Sequence, residues 1–214
     1  MVRHGVKPLA RSWSRAHLRG ASCTIRAVHH SLVLALPLLV ACSSPQTIAP
    51  HGAPPKAPAS EVERYFPLEE GKLYHYATRD GDETGMLVAK VHRTDALHAE
   101  LQLSNATKRF AVAPDGVTYV GGPYILKAPL DVGASWRGEH GGTTMITRVD
   151  AAVQVPAGDY ASCILTVEEG ARPPGVRYET TYCPGVGMVR LIVSAPGTEA
   201  RAELKSYGLP VKIE

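Results

Sequence analysis

Residues 97–103 read LHAELQL, and this stretch decides the fold class. Its apolar residues occupy every second position and alternate with polar ones. A period of two predicts a β-strand with one buried and one solvated face, and it places His98 on the solvated face. The same period continues at residues 110–112 and resumes at residues 117–120, after the turn sequence Pro-Asp-Gly at residues 114–116.

Seven further β-rich runs extend this pattern, and turn sequences rich in glycine, proline and aspartate separate many of them. No stretch of ten residues reads as an amphipathic helix. We therefore predict one all-β, mostly antiparallel domain over residues 61–214, built as a curved sheet, a half-barrel or a sandwich-like arrangement. The further strands are predicted at residues 72–78, 86–92, 145–149, 162–168, 176–183, 188–193 and 200–207.

A short repeat marks two strand entries. Residues 67–74 (PLEEGKLY) and 129–136 (PLDVGASW) share the pattern Pro-Leu-acid-x-Gly-x-x-aromatic. In each copy, the glycine can adopt the positive φ of a turn that leads an aromatic residue into a strand. A catalytic motif is rarely duplicated in this way, so we interpret the repeat as a structural motif that starts a strand.

Cys163 and Cys183 fall opposite each other in a simple hairpin register. If the two strands that contain them pair so that Glu169 faces Arg177, every facing pair of residue numbers sums to 346, including the two cysteines. The opposite charges of Glu169 and Arg177 support this register independently. A disulfide is the favoured prediction, and two buried free thiols or a redox switch are the alternatives.

The N-terminus resembles the signal sequence and lipobox of bacterial lipoproteins. Residues 31–40 (SLVLALPLLV) form an apolar run that is too short for a membrane-spanning helix of about 20 residues, and Ala41 precedes Cys42. The resemblance implies that residues 1–41 are a signal peptide and that Cys42 is lipidated as the first residue of the mature protein. An ordinary secretory signal with a chance cysteine is the alternative.

The charge of the mature chain differs from that of the whole sequence, which is +3. Residues 1–41 hold six of the 23 basic residues and none of the 20 acidic ones. Removing them leaves 17 basic and 20 acidic residues, a net charge of −3. The excess of positive charge therefore belongs to the signal peptide, and the sequence predicts no nucleic-acid partner.

Residues 42–60 are rich in proline and alanine. Such a composition favours an extended chain without a packed core, so we predict a spacer between the lipid and the domain. Ser43 stands where lipoproteins retained in the inner membrane often have aspartate. By this resemblance we predict a lipid anchor in the cell envelope, with the outer membrane favoured and the domain facing the periplasm or the cell surface.

The motifs of common enzymes are missing from the sequence, which contains no G-x-S-x-G elbow, phosphate-binding loop or H-E-x-x-H pair. Residues 140–142 (HGG) resemble an oxyanion-hole loop only superficially, and we interpret them as a glycine turn. The acidic residues among 80–83 have the composition of a weak calcium site, but a solvated hairpin tip explains them better. We predict no catalytic residue, no metal site and no cofactor, and the protein is not expected to be an enzyme.

Four segments together resemble the TapB-like family of bacterial envelope proteins, whose function is uncharacterised. The resemblance implies a curved antiparallel sheet or half-barrel and no established activity, because the shared residues are turns, glycines and aromatic anchors. The segments are Tyr65–Leu68 with Gly71, Tyr74 and Tyr76; Pro129-Leu130 with Gly133 and Trp136; Val155–Gly158 leading to Cys163; and Pro184–Val189.

The anchor, the tether and the missing motifs leave two main hypotheses of function. The first is a non-catalytic envelope lipoprotein that binds another envelope protein or serves as a scaffold. The second is a carrier or sensor of a lipid or other apolar ligand held in the concave face of the sheet. Adjacent apolar residues at 164–165 and 191–193 favour the second, because they offer apolar side chains on both faces of a strand. An enzyme acting on envelope polymers comes third.

Overall fold

The computed structural model describes residues 60–210. The predictions for the signal peptide, for Cys42 and for residues 43–59 of the tether lie outside the described residues, as do residues 211–214. Over the described part of the chain, no helix is long and apolar enough to cross a membrane.

One antiparallel sheet of twelve strands accounts for most of the described chain and confirms the predicted fold class. A short helix, α1 (Glu61–Tyr65), precedes the strands. The strands are β1 (Leu73–Asp80), β2 (Glu83–Arg93), β3 (His98–Leu103), β4 (Thr107–Ala113), β5 (Gly116–Tyr119), β6 (Tyr124–Lys127), β7 (Ser135–Arg137), β8 (Thr143–Val155), β9 (Gly158–Glu169), β10 (Arg177–Cys183), β11 (Gly187–Ala195) and β12 (Thr198–Gly208).

The sheet curls until its two edge strands meet, giving a nearly closed, barrel-like form. Its strand order is β6-β5-β4-β3-β2-β1-β12-β11-β10-β9-β8-β7, so the edges β6 and β7 are consecutive in the chain. The indole nitrogen of Trp136 on β7 donates a hydrogen bond of 3.1 Å to the backbone oxygen of Tyr124 on β6. Alternate residues of the strands point inward and form one buried core.

Most strand predictions are confirmed, but α1, β6 and β7 were not predicted. The pairs built around residues 97–103 and the turns at residues 80–82, 121–123, 156–158 and 196–197 lie where the sequence indicated. Strands β6 and β7 have only four and three residues, which is too short for a detectable period. Strand β8 begins two residues before the predicted run and ends six residues after it. The prediction stopped short because Asp150 takes a positive φ of 54° in an irregular stretch that interrupts the regular pairing.

The register predicted for the cysteine hairpin is the observed one. Thr180 pairs with Thr166 and Tyr182 pairs with Ile164, so facing residues of β9 and β10 sum to 346. Cys163 and Cys183 are joined by a disulfide, both side chains are fully buried, and their Cα atoms lie 4.2 Å apart. The bond therefore ties two neighbouring strands at the end of the sheet that α1 covers.

Helix α1 lies across one end of the barrel-like sheet. It contacts β5 and β11, which are six strands apart in the sheet, and its Val62 is buried. Ser60 and Glu63 form a capping box that begins the helix. The guanidinium of Arg93, at the end of β2, lies 3.6 Å from the Glu63 carboxylate and donates to the backbone oxygen of Leu68 at 3.2 Å. This end of the sheet is thereby closed.

The glycines of the Pro-Leu-acid-x-Gly repeat behave as the sequence predicted. Gly71 has a φ of 77° and Gly133 a φ of 91°, values that favour glycine. The aromatic residues that follow, Tyr74 and Trp136, enter β1 and β7 with buried side chains. Both copies of the repeat therefore lead into a strand through a glycine turn and a buried aromatic residue.

Candidate functional site

A cavity of about 260 Å³ lies inside the barrel-like sheet. Its wall draws residues from the segment that follows α1 and from ten of the strands, so it is the space enclosed by the curled sheet. Alternating side chains place the inward residues of each strand in this wall. The two ends of the cavity differ in chemistry.

The end near α1 is apolar. Phe66 follows the helix and packs edge-to-face against Phe110, with ring centroids 5.4 Å apart, and against Tyr182 at 6.1 Å. The hydroxyls of Tyr74 and Tyr76 of β1 donate to backbone oxygens of residues 186 and 188 at 3.0 Å each. The remaining apolar wall residues are Leu68, Leu87, Ala89, Val91, Leu101, Leu103, Ile125, Met188 and Leu191.

The opposite end, which we call the mouth, carries the charged and hydrogen-bonding side chains. These residues lie near the starts or ends of their strands or in the loop of residues 138–142, so the topology brings five separate segments together there. Several of them are half-exposed, and the cavity reaches solvent at this end. The mouth residues are Lys108, Tyr119, Glu139, His140, Glu168 and Tyr178.

Lys108 and Glu139 form an ion pair on one side of the mouth. The Lys108 ammonium lies 2.8 Å from the Glu139 carboxylate and 3.1 Å from the Tyr119 hydroxyl. Burial raises the pKa of Glu139, but hydrogen bonds from Lys108 and Tyr119 and the charge of Lys108 outweigh it, so the pKa lies below its ordinary value. Burial and the neighbouring Glu139 raise the pKa of Tyr119, and its phenol stays protonated. The ammonium of Lys108 is thus already paired with a carboxylate.

Glu168 holds the other side of the mouth in place. Its side chain is only 6% exposed, and its Oε1 accepts hydrogen bonds from the backbone N–H groups of His140 at 2.9 Å and Gly142 at 3.0 Å. Its Oε2 lies 2.9 Å from Nδ1 of His140. The imidazole stacks on the ring of Tyr178 with centroids 3.6 Å apart and planes 4° from parallel. His140 is therefore fixed in both position and ring orientation.

Glycine is required in the 138–142 loop for steric reasons. A Cβ at Gly138 would lie 2.2 Å from Cδ of Glu168, and a Cβ at Gly142 would lie 2.2 Å from the backbone oxygen of Glu169. Gly141 has a positive φ of 85°. The predicted glycine turn at residues 140–142 is confirmed, and its tight path brings backbone N–H groups to the Glu168 carboxylate.

The site was not predicted from the sequence, although its turn was. The sequence identified Cys42, Cys163 and Cys183 as site residues; Cys42 lies outside the described residues, and the disulfide lies away from the mouth. Glu168 offered the clearest missed signal, because it occupies an inward position of β9, two residues after buried Thr166. A charged residue at such a position is rarely buried without partners.

The comparisons with known proteins establish no family for this chain. No family model matches it, and no curated protein matches it. Two solved structures resemble it over 67% of this chain and 98% of their own: one described as an exported protein with a YmcC-like fold from Bacteroides fragilis, and one described as a lipoprotein from Parabacteroides distasonis. Both are 12% identical to this chain, with TM-scores of 0.47 and 0.44.

Proposed function

We propose that this protein is a non-catalytic envelope lipoprotein that holds a single-chain amphipathic ligand inside its barrel-like sheet. One observation carries the proposal: the wall of the cavity is mostly apolar, whereas its charged side chains are gathered into one cluster at the mouth by direct contacts between Lys108 and Glu139 and between His140 and Glu168. An amphipath matches this division, with its chain among the apolar side chains and its polar head at the mouth. The role of carrier or sensor follows from such binding.

The size of the cavity supports a short apolar chain. An engineered apolar cavity of about 150 Å³ binds benzene, a molecule of six carbon atoms. A cavity of 260 Å³ then has room for about ten carbon atoms by the same proportion. Burying eight methylene groups contributes about 6 kcal/mol, which is close to the lower range of the cost of association. The expected affinity is therefore modest, as a carrier that releases its ligand requires.

The sequence supports the envelope location. The lipobox-like residues before Cys42, the proline-rich residues 43–60 and the resemblance to TapB-like proteins all favour a lipid-anchored domain, with the outer membrane preferred because Ser43 follows the cysteine. Acyl labelling of the wild-type protein and of a Cys42→Ala variant tests the anchor. Label retained by the variant would contradict it.

The scaffold role, in which the domain binds another envelope protein, rests on the anchor and tether alone. The cavity favours ligand binding over that role, because a scaffold gains nothing from apolar space left open to solvent at a charged mouth. A protein partner stays a prediction from the sequence.

Native mass spectrometry tests the proposed function. The chain from Ser43 to Glu214 retains every strand of the sheet and lacks the lipidated cysteine, so no attached acyl chain competes for the cavity. It is exported behind an ordinary secretory signal, purified without detergent and analysed before and after extraction with organic solvent. We expect one amphipath per chain in the unextracted sample. A ligand-free mass, with no uptake from envelope lipid extract, would favour the scaffold.

A further inference from the structure

We propose that His140 selects the head of the bound ligand, and that this head is an uncharged hydroxyl which donates a hydrogen bond to Nε2 of the imidazole. The inference rests on the proposed function, because it concerns the polar end of an amphipath whose chain occupies the cavity. It depends on three features of the mouth: a fixed imidazole, a fixed tautomer and a charge balance that disfavours anions.

The position of the imidazole is fixed by two neighbouring side chains, Glu168 and Tyr178. Glu168 contacts both the backbone N–H and Nδ1 of His140, and Tyr178 covers one face of the ring at 3.6 Å. The side chain is 33% exposed and lines the cavity. Among the hydrogen bonds of the described residues, none uses Nε2, which lies on the ring edge away from Glu168. Nε2 is the one polar atom of this ring that a ligand can reach.

The tautomer follows from the partners of Glu168. Its Oε1 accepts two backbone N–H groups, and its Oε2 faces Nδ1 of His140 at 2.9 Å. A carboxylate only accepts hydrogen bonds, so Nδ1 of the neutral imidazole carries the proton. Nε2 is then a lone-pair acceptor, as the partner of the other nitrogen dictates. A ligand head must donate a hydrogen bond to satisfy it.

The charges of the mouth disfavour an anionic head. With a neutral imidazole, the mouth holds one cation, Lys108, and two carboxylates, Glu139 and Glu168. Lys108 already contacts Glu139 at 2.8 Å, and a carboxylate head would have to compete with it. Both carboxylates are also occupied, Glu139 by this ion pair and Glu168 by three N–H donors. An uncharged hydroxyl fits this setting, since it donates to Nε2 and brings no charge.

A pair of isomeric probes isolates this hydrogen bond. Both 1-octanol and 1-methoxyheptane have one oxygen and the same carbon content, but only the alcohol donates a hydrogen bond. Their affinities, and that of octanoate, are measured on the Ser43–Glu214 chain by displacement of the neutral dye Nile red. The assay is run at pH 8.5, where imidazoles are ordinarily neutral. We expect the alcohol to bind about fivefold more tightly than the ether, and octanoate to bind most weakly.

Two variants test the assignment to His140. In Glu168→Gln, the amide oxygen can still accept the two backbone N–H groups, and the amide nitrogen then donates to Nδ1, so the imidazole proton moves to Nε2. The preference for the alcohol over the ether should disappear, because the ether oxygen can accept from Nε2–H. In His140→Phe, the stacking on Tyr178 is kept and both nitrogens are lost, so both probes should bind equally. The second variant keeps the test decisive if the first unfolds.

The outcomes separate this inference from the function on which it rests. Equal affinities for alcohol and ether in the wild type, tightest binding of octanoate, or an unchanged preference in His140→Phe would overturn the role of His140 and leave the cavity as a ligand site. Failure of all three probes to displace the dye would overturn the binding function itself, and this inference with it.

Discussion

Replacing Gly138 by alanine tests whether the mouth is built around the Glu168 carboxylate. An ideal Cβ at this position would lie 2.2 Å from Cδ of Glu168, 2.4 Å from its Oε1 and 2.5 Å from Oγ1 of Thr144. Non-bonded carbon atoms rest at about 3.5 to 4.0 Å. The φ of Gly138 does not lie in the positive region that favours glycine, so alanine adds a collision without backbone strain.

The cost can be worked out from the hydrogen bonds of Glu168. Relieving the collision moves its carboxylate by about 1 Å, which takes bonds of 2.9 to 3.0 Å beyond the range of a hydrogen bond. Each bond to a charged group contributes about 1.5 to 3 kcal/mol, so losing two of the three lowers the free energy of unfolding by about 3 to 6 kcal/mol. A domain is stable by only about 5 to 15 kcal/mol. Gly138→Ala should therefore be among the most damaging alanine substitutions.

Urea unfolding of the Ser43–Glu214 chain measures this cost. Trp136, which is its only tryptophan, lies two residues before Gly138 and reports the transition by fluorescence. Gly85→Ala is the matched control: its nearest contact would be Oγ1 of Thr78 at 3.0 Å, and a change below about 1 kcal/mol is expected. The reasoning fails if Gly138→Ala is equally costly when Glu168 and Thr144 are both alanine, because the collision would then be absent.

Three further changes probe the closure of the sheet and its charged mouth. Replacing Cys163 and Cys183 by serine should lower the free energy of unfolding by about 3 kcal/mol, because the bond closes a loop over 20 residues; a loss under 1 kcal/mol would contradict this loop argument. Trp136→Phe removes the hydrogen bond to β6 and should speed hydrogen exchange in β6 and β7 about fivefold, with β1 unchanged; equal effects on all three strands would indicate general destabilisation instead. The pKa of Glu139 is lower in the folded protein than its ordinary value of 4.5, so the ionised carboxylate stabilises the fold at pH values above 4.5. This stabilisation is lost as the pH falls through the folded-state pKa. The fall in Tm between pH 6 and pH 3 should therefore be smaller in Lys108→Met than in the wild type, and an equal fall would show that the pair does not link stability to pH.

The strands and their register were predictable because both depend on local sequence. The alternation in residues 97–103 determines which side chains of β3 are buried, and the pairing of Glu169 with Arg177 sets the register that joins the cysteines. Helix α1 was equally accessible in principle. Its capping box, Ser60 with Glu63, stands in the sequence but was assigned to the boundary of a tether.

Closure of the sheet and assembly of the mouth could not be predicted in this way. The hydrogen bond that joins the two edge strands runs from Trp136, in a strand of three residues, to a backbone oxygen of β6. No pattern of side chains in the sequence predicts such a bond. Lys108 and Glu139 are 31 residues apart, and His140 and Glu168 are 28 apart. In the sequence, each of these four residues is an ordinary polar residue near the end of a strand. Only the curling of the sheet brings these strand ends together. Only the inward position of Glu168 marked the site from within one strand.

Two alanines on neighbouring strands distinguish a ligand cavity from a packing defect. Ala89 on β2 and Ala99 on β3 are each 1% exposed, but only Ala89 lines the cavity. Leucine at position 89 extends into open space, so Ala89→Leu should leave stability unchanged or raise it and should weaken binding of 1-octanol at least tenfold. Leucine at position 99 has no such space, so Ala99→Leu should lower the free energy of unfolding by about 1 to 3 kcal/mol with little change in affinity. Proteins commonly keep a destabilising cavity that their function needs, because selection removes only variants whose stability falls below the level that function requires. If Ala89→Leu stabilises the domain and leaves octanol binding intact, the cavity is incomplete packing and the bound chain must lie elsewhere.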